Sequence, residues 1–130
     1  MAEARLDALV AAARDARARA YAPYSGLGVG AAILVGDRIF TGTNVENVSL
    51  PLSVCAERNA IGAMIDAGER ALDAVAIVTG AASPTPPCGG CRQVLWEFGP
   101  SALVVAETLG GKRLVWTLAD LLPAPFVDQR

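Results

Sequence analysis

The amino-acid sequence predicts an α/β domain in which helices lie on the faces of a mixed β-sheet. Helical and strand patterns alternate along the chain, beginning helix, strand, strand, helix, strand, helix, strand. One predicted strand, Leu72–Thr79, is apolar almost throughout, which is typical of a strand covered on both faces. The 130 residues suffice for one hydrophobic core but not for two ordinary domains. The sequence therefore predicts a single domain over residues 1–130.

Hydrophobic periodicity and turn residues predict the individual elements. Apolar residues three and four positions apart indicate amphipathic helices, and short apolar runs rich in β-branched residues indicate strands. The predicted helices are residues 2–20, Cys55–Ala67, Cys88–Phe98 and Thr117–Leu122. The predicted strands are Val29–Val35, Arg38–Thr43, Leu72–Thr79, Ala102–Ala106 and Arg113–Trp116. Asn44–Val54 is predicted as a loop. Arg17 lies on the apolar stripe of the first helix, so it needs either a carboxylate partner or a position at the rim of the core.

Charge and hydropathy exclude several classes of protein. Eleven Lys and Arg against thirteen Asp and Glu give a net charge of −2, which argues against a surface that binds nucleic acid. The longest uncharged stretch near the N-terminus, Gly26–Gly36, has eleven residues, whereas a membrane span needs about 20. The first twenty residues are charged and contain no apolar signal-peptide core. We therefore expect a cytoplasmic protein that binds neither nucleic acid nor membrane.

The absence of histidine narrows the possible chemistry further. It removes Ser-His-Asp and Cys-His nucleophiles, His-ligated metals and acid–base catalysis by imidazole. Catalysis must then use carboxylates, thiolates, amines or a metal ion. Three cysteines is an odd number in a chain expected in the cytoplasm, which disfavours a disulfide framework.

The three cysteines are candidates to hold one metal ion. Cys88 and Cys91 point the same way from the first turn of a predicted helix. Cys55 begins a second predicted helix, and helix N-termini stabilise thiolates. Three thiolates suit zinc, which prefers four ligands. The chain has no fourth Cys and no His, so water or substrate would take the last position, as at a catalytic zinc that activates water. Glu57 is the candidate to move protons.

The alternative is three free buried thiols beside an exposed Glu57. A Cys-x-x-Cys pair alone favours that alternative. Cys55-Ala56-Glu57 followed by Pro87-Cys88-Gly89-Gly90-Cys91, with 33 residues from Cys55 to Cys88, is far more specific and favours zinc. A zinc ion held by three cysteines beside a glutamate that is not a ligand is the constellation of the zinc deaminases.

Longer motifs extend this match. Residues 43–47 (Thr-Asn-Val-Glu-Asn), 54–60 (Val-Cys-Ala-Glu-Arg-Asn-Ala) and 87–95 (Pro-Cys-Gly-Gly-Cys-Arg-Gln-Val-Leu) resemble the short, homotetrameric cytidine deaminases. Residues 21–25 and 29–32 also fit, and the resemblance covers nearly the whole chain. It implies a three-layer α-β-α fold with about five strands, one Zn²⁺ per subunit and a homotetramer. The implied reaction is hydrolysis of cytidine or 2′-deoxycytidine to uridine or 2′-deoxyuridine with release of ammonia, in pyrimidine salvage.

The resemblance also implies roles around the three cysteines, which would bind the zinc. Glu57 would protonate N3 of the base, deprotonate the water and help ammonia to leave. The Ala56 N–H would meet the base carbonyl. Arg58 would hydrogen-bond a thiolate and offset the net negative charge of three thiolates on a divalent ion; its alternative is an exposed helical arginine.

Further implied contacts involve the sugar and a neighbouring subunit. Asn44 and Glu46 would hydrogen-bond the ribose hydroxyls, chiefly at the 3′ position; alternatively, they form turns in a polar loop. Phe126 from a neighbouring subunit would help to cover the base; alternatively, it packs on its own domain.

Two segments depart from the family pattern. Leu27 stands where an aromatic residue is usual, and Ser49-Leu50-Pro51-Leu52 replaces Ser-Tyr-Gly-Leu. These segments border the nucleoside pocket in the family, and aromatic faces stack on bases. The leucines at positions 27 and 50 could therefore weaken cytidine binding or admit a modified cytosine nucleoside; the alternative is neutral variation.

The sequence also allows two other functions. A zinc-bound nucleoside-binding protein without activity would share the cysteines, but the intact Glu57 argues against it. A deaminase that edits nucleic acid would share the zinc motif, but the short chain, the pI near 5.0 and the retained 43–47 motif favour free nucleosides.

Overall fold

A five-stranded mixed sheet runs through the middle of the protein, whose computed structural model describes residues 1–130. The strands are β1 (Val29–Val35), β2 (Arg38–Thr43), β3 (Ala74–Thr79), β4 (Leu103–Thr108) and β5 (Arg113–Thr117). The helices are α1 (Glu3–Arg17), α2 (Ala56–Asp66), α3 (Gly89–Phe98) and α4 (Leu118–Leu121). The strand order is β2-β1-β3-β4-β5; β3 and β4 are parallel, and the other neighbouring pairs are antiparallel.

The elements lie close to their predicted positions. All five strands and four helices are present, but α1 ends at Arg17 rather than at residue 20. The loop over 44–54 contains a 3-10 turn, Leu50–Leu52, that was not predicted. Pro51 lies in its first turn, where the fixed φ of proline is compatible with a helix start.

The two faces of the sheet carry separate hydrophobic layers. Leu9 of α1 belongs to one buried cluster with Ala32 of β1. Met64 of α2 belongs to the other cluster with Ile33, the next residue of β1, because successive side chains of a strand point to opposite faces. All six residues of β3 are buried, since helices cover both of its faces. The predicted three-layer α-β-α arrangement is confirmed.

Gly30 and Gly42 let helices approach the sheet closely from both sides. A Cβ atom at Gly30 would lie 1.9 Å from the carbonyl oxygen of Ala13 in α1. A Cβ atom at Gly42 would lie 2.4 Å from the backbone nitrogen of Ala60 in α2. Neither separation is possible for non-bonded atoms, so both positions need a residue without Cβ. The second contact sets the distance between β2 and α2.

Arg17 lies at the end of α1, at the rim of the sheet. Its Nε donates a hydrogen bond to the Gly28 carbonyl oxygen at 3.1 Å, and its guanidinium group lies beside Gly80. The partner is therefore a backbone carbonyl at the rim, the second of the two predicted alternatives. No helix has the length and apolar character needed to cross a membrane.

Candidate metal centre and active site

The N-termini of α2 and α3 bring the three cysteines together. Cys55 is the N-cap of α2, Cys88 is the N-cap of α3, and Cys91 lies in the first turn of α3. Their sulfur atoms all lie within 4.8 Å of one another, and Cys55 Sγ is 4.0 Å from Cys88 Sγ. With Zn–S bonds of about 2.3 Å, sulfur atoms at the corners of a tetrahedron lie about 3.8 Å apart. The three cysteines therefore fit one zinc ion, as predicted.

The thiols have unequal tendencies to ionise. Burial and the negative charge of Glu57 raise the pKa of Cys91. Desolvation acts to raise the pKa of Cys88, but hydrogen bonds from the Cys91 N–H, 3.5 Å from Cys88 Sγ, and from the neighbouring thiols outweigh it and lower that pKa. A cation among the sulfur atoms favours the thiolate form of all three, which metal binding requires.

Arg58 places positive charge beside the sulfur atoms. Its Nη2 lies 3.8 Å from Cys55 Sγ and 3.5 Å from the Ser53 carbonyl oxygen. The hydrogen bond to Cys55 raises the pKa of the guanidinium group. Arg58 is thus in contact with a candidate zinc ligand, although its side chain is otherwise open to solvent.

Glu57 brings a carboxyl group to the same place. It is the second residue of α2, is 5% exposed, and lines a cavity together with Cys55 and Cys88. Burial raises the pKa of Glu57 above its ordinary value. A carboxyl group with a raised pKa can accept a proton and release it again, which is the task of a general base and acid.

The cavity beside the cysteines has a volume of about 230 Å³ and contains most of the predicted site. The predicted residues that line it are Leu27, Asn44, Cys55, Ala56, Glu57 and Cys88. Ala56 begins α2, so its N–H has no acceptor within the helix and is available to a ligand. A free backbone N–H, the Glu57 carboxyl group and two of the three clustered cysteines therefore line one small cavity.

Sequence reasoning missed the rest of the cavity wall. The additional lining residues are Val29, Ile77, Thr79, Thr85 and Pro86. Thr79 ends β3, and Thr85 lies in the loop between β3 and α3. The one available signal was that Thr85 and Pro86 directly precede the Pro87-Cys88 motif.

Asn44 and Glu46 already bind the backbone of the neighbouring loop. Asn44 Oδ1 accepts the Val29 N–H at 2.8 Å, and its Nδ2 donates to the Leu27 carbonyl oxygen at 2.9 Å. The Glu46 carboxylate accepts the Tyr24 N–H at 2.9 Å and hydrogen bonds from the N–H and hydroxyl of Ser25. The bonds from Ser25 lower the pKa of Glu46. Both side chains thus hold the loop, but only Asn44 lines the cavity.

Leu50 and Phe126 lie outside the cavity of their own chain. Leu50 is 66% exposed and borders a separate shallow groove with Tyr24 and Glu46. Phe126 is 80% exposed, so the alternative that it packs on its own domain is wrong. The Gln93 side chain holds the Phe126 backbone, donating to its carbonyl oxygen at 2.9 Å and accepting its N–H at 3.0 Å.

Known proteins share this arrangement and much of the sequence. The family described as "Cytidine and deoxycytidylate deaminase zinc-binding region" matches residues 4–107. A cytidine deaminase from Mycobacterium tuberculosis is 48% identical over 115 residues, which cover 88% of this chain and 84% of the relative. A cytidine deaminase from Sporosarcina psychrophila is 41% identical over 123 residues, which cover 93% of this chain and 90% of the relative.

A solved structure agrees with these matches. The crystal structure of cytidine deaminase from Burkholderia pseudomallei has a TM-score of 0.90 and 44% sequence identity to this chain, covering 97% of this chain and 100% of that chain. The segment matched by the family includes the three cysteines and Glu57. Sequence, fold and metal centre therefore agree, and the chain belongs to the cytidine and deoxycytidylate deaminase family of zinc-binding proteins.

Proposed function

We propose that this protein hydrolyses cytidine and 2′-deoxycytidine to uridine and 2′-deoxyuridine and releases ammonia. One observation carries the proposal: three cysteine sulfur atoms lie within 4.8 Å of one another beside a cavity that the buried carboxyl group of Glu57 also lines. Relatives at 48% and 41% identity carry the name cytidine deaminase, which supports the same substrate here.

Glu57 is the group that moves protons in this proposal. The chemistry that a zinc ion supplies when bound is activation of water as a nucleophile near neutral pH. Glu57 takes a proton from the attacking water and gives it to N3 of the cytosine ring; it then passes a proton to the departing amine. One water molecule is consumed, the bond between C4 and the exocyclic nitrogen breaks, and a carbonyl forms at C4. The raised pKa of Glu57 suits a group that is protonated and deprotonated in turn.

Two neighbours of Glu57 support the reacting groups. The Ala56 N–H, which has no acceptor in α2, donates to the carbonyl oxygen at C2 of the base. Arg58, 3.8 Å from Cys55 Sγ, offsets part of the negative charge of the three thiolates. A metal centre with less negative charge is a stronger Lewis acid, so Arg58 acts through the ligands rather than on the substrate.

The sugar is proposed to lie at the mouth of the cavity. A volume of about 230 Å³ is below the roughly 300–1,000 Å³ of pockets that enclose a drug-sized ligand, so it suits the base alone. Asn44 and Glu46 line an adjoining depression that also contains Cys55. Each keeps hydrogen-bonding capacity beyond its loop contacts, because a carboxylate accepts about four hydrogen bonds and an amide nitrogen donates two. We propose that these groups bind the ribose hydroxyls.

A homotetramer is part of the proposal. A single chain exposes several large apolar side chains that a partner subunit would cover: Val48, Leu50, Leu52 and Phe126. The cavity itself is lined by no aromatic residue. Phe126 of a neighbouring subunit would supply an aromatic cover for the base.

The substrate is proposed to be an ordinary cytosine nucleoside rather than a modified one. Leu27 lines the cavity in place of an aromatic residue, whereas Leu50 lies outside it. The names of the relatives favour cytidine, so we propose that Leu27 is tolerated in an ordinary cytidine pocket. A role in pyrimidine salvage and the predicted cytoplasmic location complete this proposal.

The proposal is tested by ammonia release from the zinc-loaded protein. The substrates are cytidine, 2′-deoxycytidine, free cytosine and a single-stranded oligonucleotide that contains cytosine. We expect turnover of both nucleosides, much slower turnover of free cytosine because it lacks the sugar contacts, and none of the oligonucleotide. Turnover of the oligonucleotide in preference to the nucleosides would contradict the proposal.

A further inference from the structure

Two threonines in the cavity wall form a hydrogen-bonded pair that the proposed reaction does not use. Thr79, the last residue of β3, is 2% exposed, and Thr85 lies half-buried in the loop that follows. Both line the cavity, and their Oγ1 atoms are 3.2 Å apart. Polar wall groups of this kind fix the orientation of a small ligand and give specificity.

The surrounding backbone sets the direction of the hydrogen bonds in the pair. The Ala81 N–H donates to Thr79 Oγ1 at 3.1 Å, and Thr85 Oγ1 donates to the Ser83 carbonyl oxygen at 3.3 Å. The hydroxyl of Thr79 then donates to Thr85 Oγ1. In the reverse direction the buried Thr79 hydroxyl would have no acceptor for its proton in the protein, which is unfavourable. Both hydroxyl protons are therefore used within the wall, and the cavity is offered only oxygen lone pairs.

The position of the pair indicates which edge of the base it faces. This step rests on the proposed function, in which Glu57 and Ala56 of α2 bind N3 and the carbonyl at C2. Thr85 lies three residues before Cys88 and lines the same cavity, so we place the pair on the side of the base that carries C5 and the exocyclic group at C4. In the substrate that exocyclic group is an amine, which donates hydrogen bonds. In the product it is a carbonyl, which only accepts them.

We infer that Thr79 and Thr85 are a specificity-determining pair that favours the amino-bearing base over the carbonyl-bearing product. The lone pairs of the wall accept an N–H of the substrate amine. A carbonyl at C4 has no N–H to give to these lone pairs, so the product gains nothing from the pair. The pair thereby favours substrate binding and product release without taking part in proton transfer.

The test compares the Kd of uridine, measured by calorimetry, with the KM of cytidine for the zinc-loaded protein. Thr85→Val keeps the shape of the side chain and removes the hydroxyl. We expect the ratio of uridine Kd to cytidine KM to fall about three- to tenfold, the range of one neutral hydrogen bond. Thr79→Val should lower the same ratio, because the wall then loses the free lone pair of Thr79 Oγ1 while Thr85 still donates to the Ser83 carbonyl oxygen. Thr85→Ser keeps the hydroxyl and should keep the wild-type ratio.

Thr108→Val is the matched control. Thr108 is the register partner of Thr79 on β4, is buried, and accepts the Lys112 N–H at 3.0 Å, but it lies outside the cavity. We expect it to leave the ratio unchanged. The inference would be overturned if Thr85→Val and Thr79→Val both still turn over cytidine and both keep the ratio within about twofold of wild type. Such a change is smaller than the effect of one hydrogen bond. Absence of cytidine turnover by the wild-type protein would instead contradict the proposed function.

Discussion

At the scale of single residues, Arg58 shows how charge is balanced at the metal centre. Three thiolates exceed the charge of one divalent ion, and Arg58 is the cation in contact with them, 3.8 Å from Cys55 Sγ. Its hydrogen bond to the Ser53 carbonyl oxygen holds the guanidinium group in this position. Groups that orient and neutralise metal ligands tune both affinity and reactivity.

Replacing Arg58 by Ala should weaken the centre without removing a ligand. We expect zinc affinity or the rate of deamination to fall about 10- to 100-fold, as is usual when a group that supports metal ligands is lost. Zinc affinity is measured by competition with a chromophoric chelator. Arg70→Ala is the control, since Arg70 donates to the Ile65 carbonyl oxygen at the other end of α2. Equal affinity and rate in Arg58→Ala and wild type would show that Arg58 is dispensable.

Some residues of the site could be predicted from the sequence, and others could not. The cluster of three cysteines and the position of Glu57 beside it were predictable, because cysteine and glutamate at these spacings form a specific motif. Thr79 and Thr85 were not, because threonine is common in strands and loops and their contact depends on the path of the loop between them. The bonds from Glu46 to the backbone of Tyr24 and Ser25 depend in the same way on how two loops pack.

At the scale of secondary-structure elements, the contact between β2 and α2 positions the helix that carries Glu57. Gly42→Ala would place a methyl group within 2.4 Å of α2 backbone atoms, so α2 must move away from the sheet. We expect a loss of about 1–3 kcal/mol in the free energy of unfolding, typical of overpacking, and lower activity because Glu57 moves with the helix. Urea denaturation measures the first effect.

Gly62→Ala is the matched control for this prediction. Gly62 lies within α2, and a Cβ atom there would have no neighbour within 4 Å. Alanine should therefore stabilise the helix by about 0.5–1 kcal/mol relative to glycine. Similar loss of stability in the two variants would show that the close contact at Gly42 is not what limits the position of α2.

The elements themselves were largely predictable, and their contacts were not. β3 was predictable because a strand buried on both faces is apolar along its whole length. α2 was predictable because a helix buried on one face carries apolar residues at helical spacing. The 3-10 turn Leu50–Leu52 leaves no such pattern, since none of its residues is buried. The need for glycine at positions 30 and 42 depends on which helix packs over them.

At the scale of the whole molecule, the metal joins parts of the chain that are distant in sequence. Cys55 lies on α2, and Cys88 and Cys91 lie on α3. An ion that binds the folded protein and not the unfolded chain stabilises the fold. We expect a chelator to lower Tm and added Zn²⁺ to restore it. The Tm of Cys88→Ser should not change when the chelator is added. If the chelator leaves the Tm of the wild-type protein unchanged, a metal ion does not stabilise the fold by joining α2 to α3.

The exposure of Phe126 leads to a second prediction about the whole molecule. We expect the wild-type protein to sediment as a tetramer. Phe126→Ala should raise the KM for cytidine, because the base loses an aromatic cover from a neighbouring subunit worth about 1–3 kcal/mol. Val127→Ala, at the next exposed position, is the control and should leave KM unchanged. A wild-type monomer with full activity would remove the shared site and the role of Phe126 with it.

Proton transfer by Glu57 is tested by comparing the wild-type protein with Glu57→Gln. Both proteins are loaded with zinc, their metal content is measured, and ammonia release from cytidine is followed. Glutamine keeps the size of the side chain but cannot transfer protons, so we expect equal zinc content and a rate at least about 100-fold lower. A Glu57→Gln protein that contains zinc and releases ammonia at the wild-type rate would contradict the assignment of proton transfer to Glu57.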